Sequence, residues 1–221
     1  EHSMAITRIT TPSITDDAVD NTKLDLASNY AFTGTVSGTP QDMVKIYSID
    51  VSVAATSIDF ETLPTTYNNF CVQVGDFEPS SNGAGLRVRF KTSGGYASGG
   101  SDYSVSRQRI YQTGGSTWTD SANGFVSDGA NVSLGINSYG NGYSEAGSHC
   151  TVWFHNIHST DKRKSFNCLS WGGQDSQNSS AQHISGIFVG GGSLNAVTGI
   201  RFYFDSGNIA KGRFALYGFK Q

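Results

Sequence analysis

The sequence predicts an all-β fold, a two-sheet antiparallel sandwich of jelly-roll type led by a short extended or partly helical N-terminal segment. Three observations predict it. Short apolar runs recur with a period of two, which sets one row of side chains on one face of a strand. The segments between them are crowded with Ser, Thr, Asn and a large share of the 27 glycines, the residues that turns require. Leu and Met are scarce, while Val, Ile, Phe, Tyr and Thr supply the bulk, the preference of strands over helices.

The chain has 221 residues, a length that suits one all-β domain or two small ones. Glu1-His2-Ser3 before Met4 reads as a vector scar, and the native start is expected at Met4-Ala5-Ile6. Residues 4–38 are polar and lack long alternation. Ile14-Thr15-Asp16-Asp17-Ala18-Val19 and Asn21-Thr22-Lys23-Leu24-Asp25-Leu26 scatter single apolar residues among Asp, Thr and Asn. Such a stretch buries too little surface to fold alone, so a partner or a neighbouring copy is expected to order it. Ala31 to Val36 reads as a short strand before a boundary at Gly38 and Pro40, and residues 39–221 form the sandwich.

Strands are expected over Val44–Ala54, Ser57–Phe60, Asn69–Phe77, Leu86–Thr92, Tyr103–Gln112, Asn131–Ile136, His149–Ile157, Lys164–Gly172, Ile184–Val189, Gly199–Phe204 and Arg213–Phe219. Leu86, Val88 and Phe90 alternate with Arg87, Arg89 and Lys91, and Cys150, Val152 and Phe154 with Thr151, Trp153 and His155. One apolar and one polar face is the mark of antiparallel sheets with a wet side. Trp153 and Trp171 stand opposite the apolar rows of their strands and are expected to cover a subunit interface. The last two runs read as two strands joined by the turn Ser206-Gly207-Asn208, which builds the C-terminus into the fold. Ser93–Asp102 and Thr113–Asn131 read as long polar loops.

Charge excludes several classes of function. The net charge is -3 and charged residues make up 15% of the chain, so nucleic acid and anionic membranes are not expected partners. Lys162-Arg163-Lys164 reads as a solvated turn. The three cysteines, Cys71, Cys150 and Cys168, lack paired spacing; Cys150 and Cys168 are expected as small buried residues. His149, Cys150, His155 and His158 do not form a ligand set, because strand alternation puts Cys150 on the face opposite His149 and His155. No G-x-S-x-G or H-E-x-x-H motif occurs, and Gly190-Gly191-Gly192 lacks the Lys-Ser/Thr ending of a phosphate loop. No catalytic residue, metal or cofactor is assigned. Tyr96, Tyr103, Trp118, Tyr139 and Tyr143 lie in segments rich in Gly, Ser and Asn. Their rings could stack on the C–H faces of sugars while neighbouring amides and hydroxyls bond to the sugar hydroxyls, which makes them the candidate glycan-binding residues.

A series of segments resembles the small virion proteins of tailed bacteriophages. Met4 to Ile9, Ile14 to Val19 and Lys23 to Leu26 resemble the N-terminal lead of fibre and appendage proteins, and Phe32-Thr33-Gly34-Thr35-Val36 the short strand that follows it. Ser57 to Phe60, Leu63-Pro64 and Tyr67 to Phe70 resemble the opening of their globular part. Gly199-Ile200-Arg201-Phe202, Ser206-Gly207-Asn208-Ile209, Gly212-Arg213-Phe214 and Leu216-Tyr217-Gly218 resemble its ending. The resemblance implies a β-sandwich, a homotrimer, attachment to capsid or tail through residues 4–38, and a virion location after synthesis in the bacterial cytoplasm. With Met4 just before the lead, a short head fibre, capsid decoration protein or tail appendage is expected rather than the tip of a long fibre. The expected role is structural and non-enzymatic, with exposed loops contacting the host surface. A carbohydrate-binding module is the alternative, and a polysaccharide hydrolase a more distant one.

Overall fold

The computed structural model describes residues 43–113, 117–126, 129–138, 148–173, 179–190 and 194–219, all within one unit, Pro40–Gln221. The expected lead at 4–38 and its boundary fall outside the described residues. Thirteen strands form, with no α-helix among the described residues: β1 (Met43–Val51), β2 (Ile58–Phe60), β3 (Asn69–Pro79), β4 (Ala84–Thr92), β5 (Gly95–Tyr96), β6 (Tyr103–Thr113), β7 (Thr117–Val126), β8 (Val132–Ser138), β9 (Ser148–His155), β10 (Lys164–Gly173), β11 (Ser179–Phe188), β12 (Gly199–Phe204) and β13 (Ile209–Phe219). They make two antiparallel sheets, a β-sandwich. The large sheet runs β1-β13-β3-β9-β10-β11-β6-β7, and the small one β2-β12-β4-β5 with β8 also paired to β4.

All eleven expected strands are present, and alternation explains which side chains they bury. Leu86, Val88 and Phe90 point inward while Arg87, Arg89 and Lys91 stay at the surface. On β9, Cys150, Val152 and Phe154 are buried between half-exposed neighbours. The closest packing surrounds Phe90. Its ring comes from the small sheet and meets four rings of the large one: Phe188 at 5.3 Å between centroids, Phe154 at 5.5 Å, Tyr103 at 5.8 Å and Phe166 at 6.2 Å. Three of the four contacts are edge-on, the geometry in which ring quadrupoles attract. Phe166 lies over Gly186, its partner in the β10–β11 ladder; a Cβ there would come within 2.3 Å of the ring. Gly186 is therefore required by close approach.

Several expectations change. Residues 113–131 are not one long loop: Thr117–Val126 is strand β7, paired to β6 from Thr113↔Thr117 to Val105↔Val126. Its run Thr-Trp-Thr-Asp-Ser-Ala-Asn-Gly-Phe-Val has no clean apolar alternation, and its identity as a strand comes from backbone pairing to β6 at the edge of the sheet. The segment 93–102 likewise contains the short β5. β11 begins five residues before the expected Ile184, with Ser180 and Gln182 buried in its polar half.

The two closing strands do not pair with each other. β12 joins β2 and β4 in the small sheet, and β13 lies between β1 and β3 in the large one. The turn Ser206-Gly207-Asn208 crosses the edge of the sandwich, with Gly207 at φ 71°, a conformation glycine adopts without strain. Ser80 and Asn208 bind its end through two 2.8 Å hydrogen bonds. The rings of Phe202 and Phe214, one from each closing strand, meet across the core at 5.6 Å.

Lys162 and Arg163 are exposed, but Lys164 is not part of a solvated turn. It opens β10 with 1% exposure, and its ammonium donates to the Leu194 carbonyl at 3.0 Å. Burial holds its pKa below the ordinary lysine value. Cys150 and Cys168 lie in the core, as expected, and all three cysteines are free. Cys71 is also buried but stands outside that core, between its ladder partners Tyr217 and Trp153. Burial pushes its thiol up to about 11.

Two outcomes follow. Phe90→Ala should lower unfolding free energy by about 3–5 kcal/mol in urea denaturation, since it removes a ring that no neighbour can replace. Cys71 ionises in the unfolded chain before it does in the fold, so its contribution is full below the unfolded pKa and lost as pH rises through the folded one. Between pH 9 and 11 Cys71→Ala should therefore flatten the decline of stability by up to about 1.4 kcal/mol per pH unit relative to wild type, read from denaturation curves at stepped pH. An unchanged slope would contradict this.

Candidate functional site

The outer faces of the two sheets differ in chemistry. On the small sheet, β4 presents Arg87, Arg89 and Lys91 and β12 presents Arg201 and Tyr203. Almost every charge has a partner. Arg201 grips Asp59 through two hydrogen bonds of 2.7 and 2.6 Å, Arg87 pairs with Asp205 at 2.8 Å, and Lys91 pairs with Glu61. Arg89 donates to the Ala130 carbonyl at 3.1 Å and lies over the Tyr203 ring. The Lys91 hydrogen bond draws the Glu61 carboxyl below its usual range, and the Asp59 carboxylate raises Arg201 further.

Tyr96 belongs to this ladder. The Arg201 guanidinium covers its ring at 3.9 Å, and its hydroxyl donates to Glu61 at 3.1 Å. Burial, with the nearby carboxylates, holds the phenol above its ordinary pKa. One face of the ring is thus occupied by a cation–π contact.

The outer face of the large sheet is different. Strand register lays four rows across β9, β10, β11 and β6: His149, Trp171, Ala181 and Ile110; then Thr151, Leu169, His183 and Gln108; then Trp153, Asn167, Ser185 and Ser106; then His155, Ser165, Ile187 and Ser104. The first two rows line a hollow of about 400 Å³ and the last two contribute to one of about 410 Å³. Ile110, Leu169 and Trp171 are 42%, 53% and 49% exposed, three of the seven large apolar side chains open to solvent among the described residues. Trp171 stacks on His149 at 6.2 Å and 20°. The Asp76 amide donates to His149 Nδ1 at 3.4 Å, which leaves the ring proton on Nε2 in the neutral tautomer. At the other end His155 Nε2 bonds to Asn167 Oδ1 at 3.1 Å. Among the described residues no Lys, Arg, Asp or Glu lines either hollow; Asp120 of β7 stands opposite Ile110 at the end of the first row.

Of the expected glycan-binding residues, the structure places Tyr96 in the ladder of the small sheet and Tyr103 in the core. Tyr103 is a core residue, 2% exposed; its ring packs on Phe90 and Phe188 and its hydroxyl accepts the Phe90 amide at 2.8 Å. That correction follows from position, since Tyr103 opens β6 facing inward rather than ending a loop. Trp118 is in strand β7 opposite Gln112. Tyr139 and Tyr143 lie outside the described residues. The exposed aromatic that stood outside the glycan candidates is Trp171. Its signal was present: Leu169 and Trp171 put apolar side chains on the face opposite Phe166 and Cys168, where a wet face should be polar.

His149 and His155 share the outer face while Cys150 points into the core. Among the described residues no cluster of His, Cys, Asp or Glu could hold a metal ion. Comparison with protein-family profiles, curated proteins and solved structures found no match.

The ladder on the small sheet is partly exposed, so each of its pairs stabilises by about 0.2–1 kcal/mol. Arg201→Met should cost about 1 kcal/mol in denaturation at low salt, and the gap from wild type should narrow in 1 M NaCl as the ion pair is screened. A gap independent of salt would assign the effect to packing of the guanidinium on Tyr96.

Proposed function

We propose that the chain is a non-enzymatic structural protein of a tailed-bacteriophage virion, a trimeric fibre or capsid or tail appendage. Residues 4–38 attach it, and the sandwich is its outward part. The observation that carries the reading is the ordered run of fibre-like segments from Met4 to Gly218. The two-sheet sandwich agrees with what that resemblance implies. A surface role fits its chemistry: glycoside hydrolysis needs two carboxylates flanking one cleft, and among the described residues no Asp or Glu lines the hollows of the large sheet. The exposed apolar row of that sheet is a surface suited to contact, since such patches commonly mark interaction sites.

Purified particles of the encoding phage should contain the protein by mass spectrometry. Light scattering of the isolated chain should give three times its 23.6 kDa mass. Deleting residues 5–37 should remove it from particles while the sandwich stays folded. Absence from particles would overturn the virion assignment, a monomer the trimer, and retained incorporation of the deletion variant the role of the lead.

A further inference from the structure

We infer that the outer face of β9, β10, β11 and β6 is a binding groove for an uncharged polysaccharide, with Trp171 as its stacking platform. The inference rests on reading the sandwich as the recognising part of the appendage, and names the class of ligand it takes.

The argument begins with charge. The chain carries 33 charged side chains, and the small sheet displays seven of them on its outer face, mostly paired. Among the described residues no Lys, Arg, Asp or Glu lines the two hollows of the large sheet, and the charged residue in register with their first row is an acid, Asp120 of β7 beside Ile110. An anionic glycan, a phosphate or an acidic peptide would meet no Lys or Arg among the described residues there, and burying its charge unpaired is costly. A neutral ligand meets no such cost.

The arrangement of apolar and polar groups narrows the class. An indole face lies open in the first hollow, flanked by Leu169 and Ile110. Gln108, Thr151 and His183 stand in the adjoining row. Amide, hydroxyl and imidazole groups both donate and accept, which suits a ring with C–H faces and hydroxyl edges. The second hollow continues along the same four strands about four residues further on, roughly 13 Å away at strand spacing, and there Asn167, Ser165 and Ser185 stand beside Ile187. The elongated, uncharged, two-hollow shape fits a linear chain of sugars, and each volume lies in the range of small-molecule sites.

The test uses the full chain and isothermal titration with cellohexaose, xylohexaose, mannohexaose and chitohexaose as neutral probes, and hexagalacturonate as the anionic one. At least one neutral hexamer should bind, with affinity reduced at least tenfold in Trp171→Ala and measurably in Gln108→Ala, and unchanged in Tyr47→Ala on the far strand β1. Hexagalacturonate should not bind. No neutral binding at millimolar concentration, preference for the anionic hexamer, or binding untouched by both groove variants would overturn the proposal. So would a Trp171→Ala variant that loses self-association while wild type binds no sugar, which would make the face a contact between copies. Presence in or absence from virions is read separately, so loss of the virion reading and loss of the groove are distinguishable.

Discussion

The enclosure of Phe90 is the constraint on which the rest of the structure depends. One ring from the small sheet is held by Phe154, Phe166, Phe188 and Tyr103, drawn from four neighbouring strands of the large sheet. The clasp is polar as well as apolar. β4 pairs with β8 on one stretch and with β5 on another, and the Phe90 amide falls between. The Tyr103 hydroxyl accepts it at 2.8 Å, while the Ala97 amide reaches the Phe90 carbonyl at 2.8 Å. Without that hydroxyl a buried backbone donor would lack a partner, a cost of about 1–3 kcal/mol. The same residue thus fills space and closes a gap in the ladder.

Because strand side chains alternate, fixing the inward residues fixes the outward ones. Phe90 inward sets Arg89 and Lys91 outward, and Phe202 inward sets Arg201 and Tyr203 outward. On the large sheet, Phe154 and Phe166 inward set Trp153, His155, Ser165 and Asn167 outward. A slip of one residue would exchange the rows and put charges or hydroxyls into the core. The groove and the ion-pair ladder are therefore consequences of one packed interior. They differ in openness. The ladder satisfies its charges among its own members, whereas the groove leaves an indole and two aliphatic side chains in water.

This division explains what was legible in the sequence. Strands with a core-facing row, such as Leu86 to Thr92 or Cys150 to Phe154, announced themselves through alternation. β7 did not, since Trp118 to Gly124 offers no apolar row and its identity as a strand comes from pairing to β6. Tyr103 opens an expected strand, but the polar segment before it made its ring look exposed, whereas it faces inward. Lys164 looked solvated in a run of three cations, and only the register beside Phe188 places it inside. The groove was half legible: apolar residues on both faces of β10 were visible, but assembling Trp171, His149, Gln108 and Ile110 needed the strand order.

The order of strands also separates the two roles proposed for the molecule. The large sheet begins with β1, the first described strand after the lead, at one edge; β13 and β3 lie between it and the groove strands. At about 4.8 Å between strands, β10 lies roughly 19 Å from β1. The closing strands occupy interior positions in both sheets, β12 between β2 and β4 and β13 between β1 and β3. They hold the scaffold together and contribute nothing to the hollows. On the proposed reading, the C-terminal strands fix the frame, and recognition occupies β9, β10, β11 and β6 of the large sheet. That arrangement favours the sheet face over the loops as the place where a ligand is read.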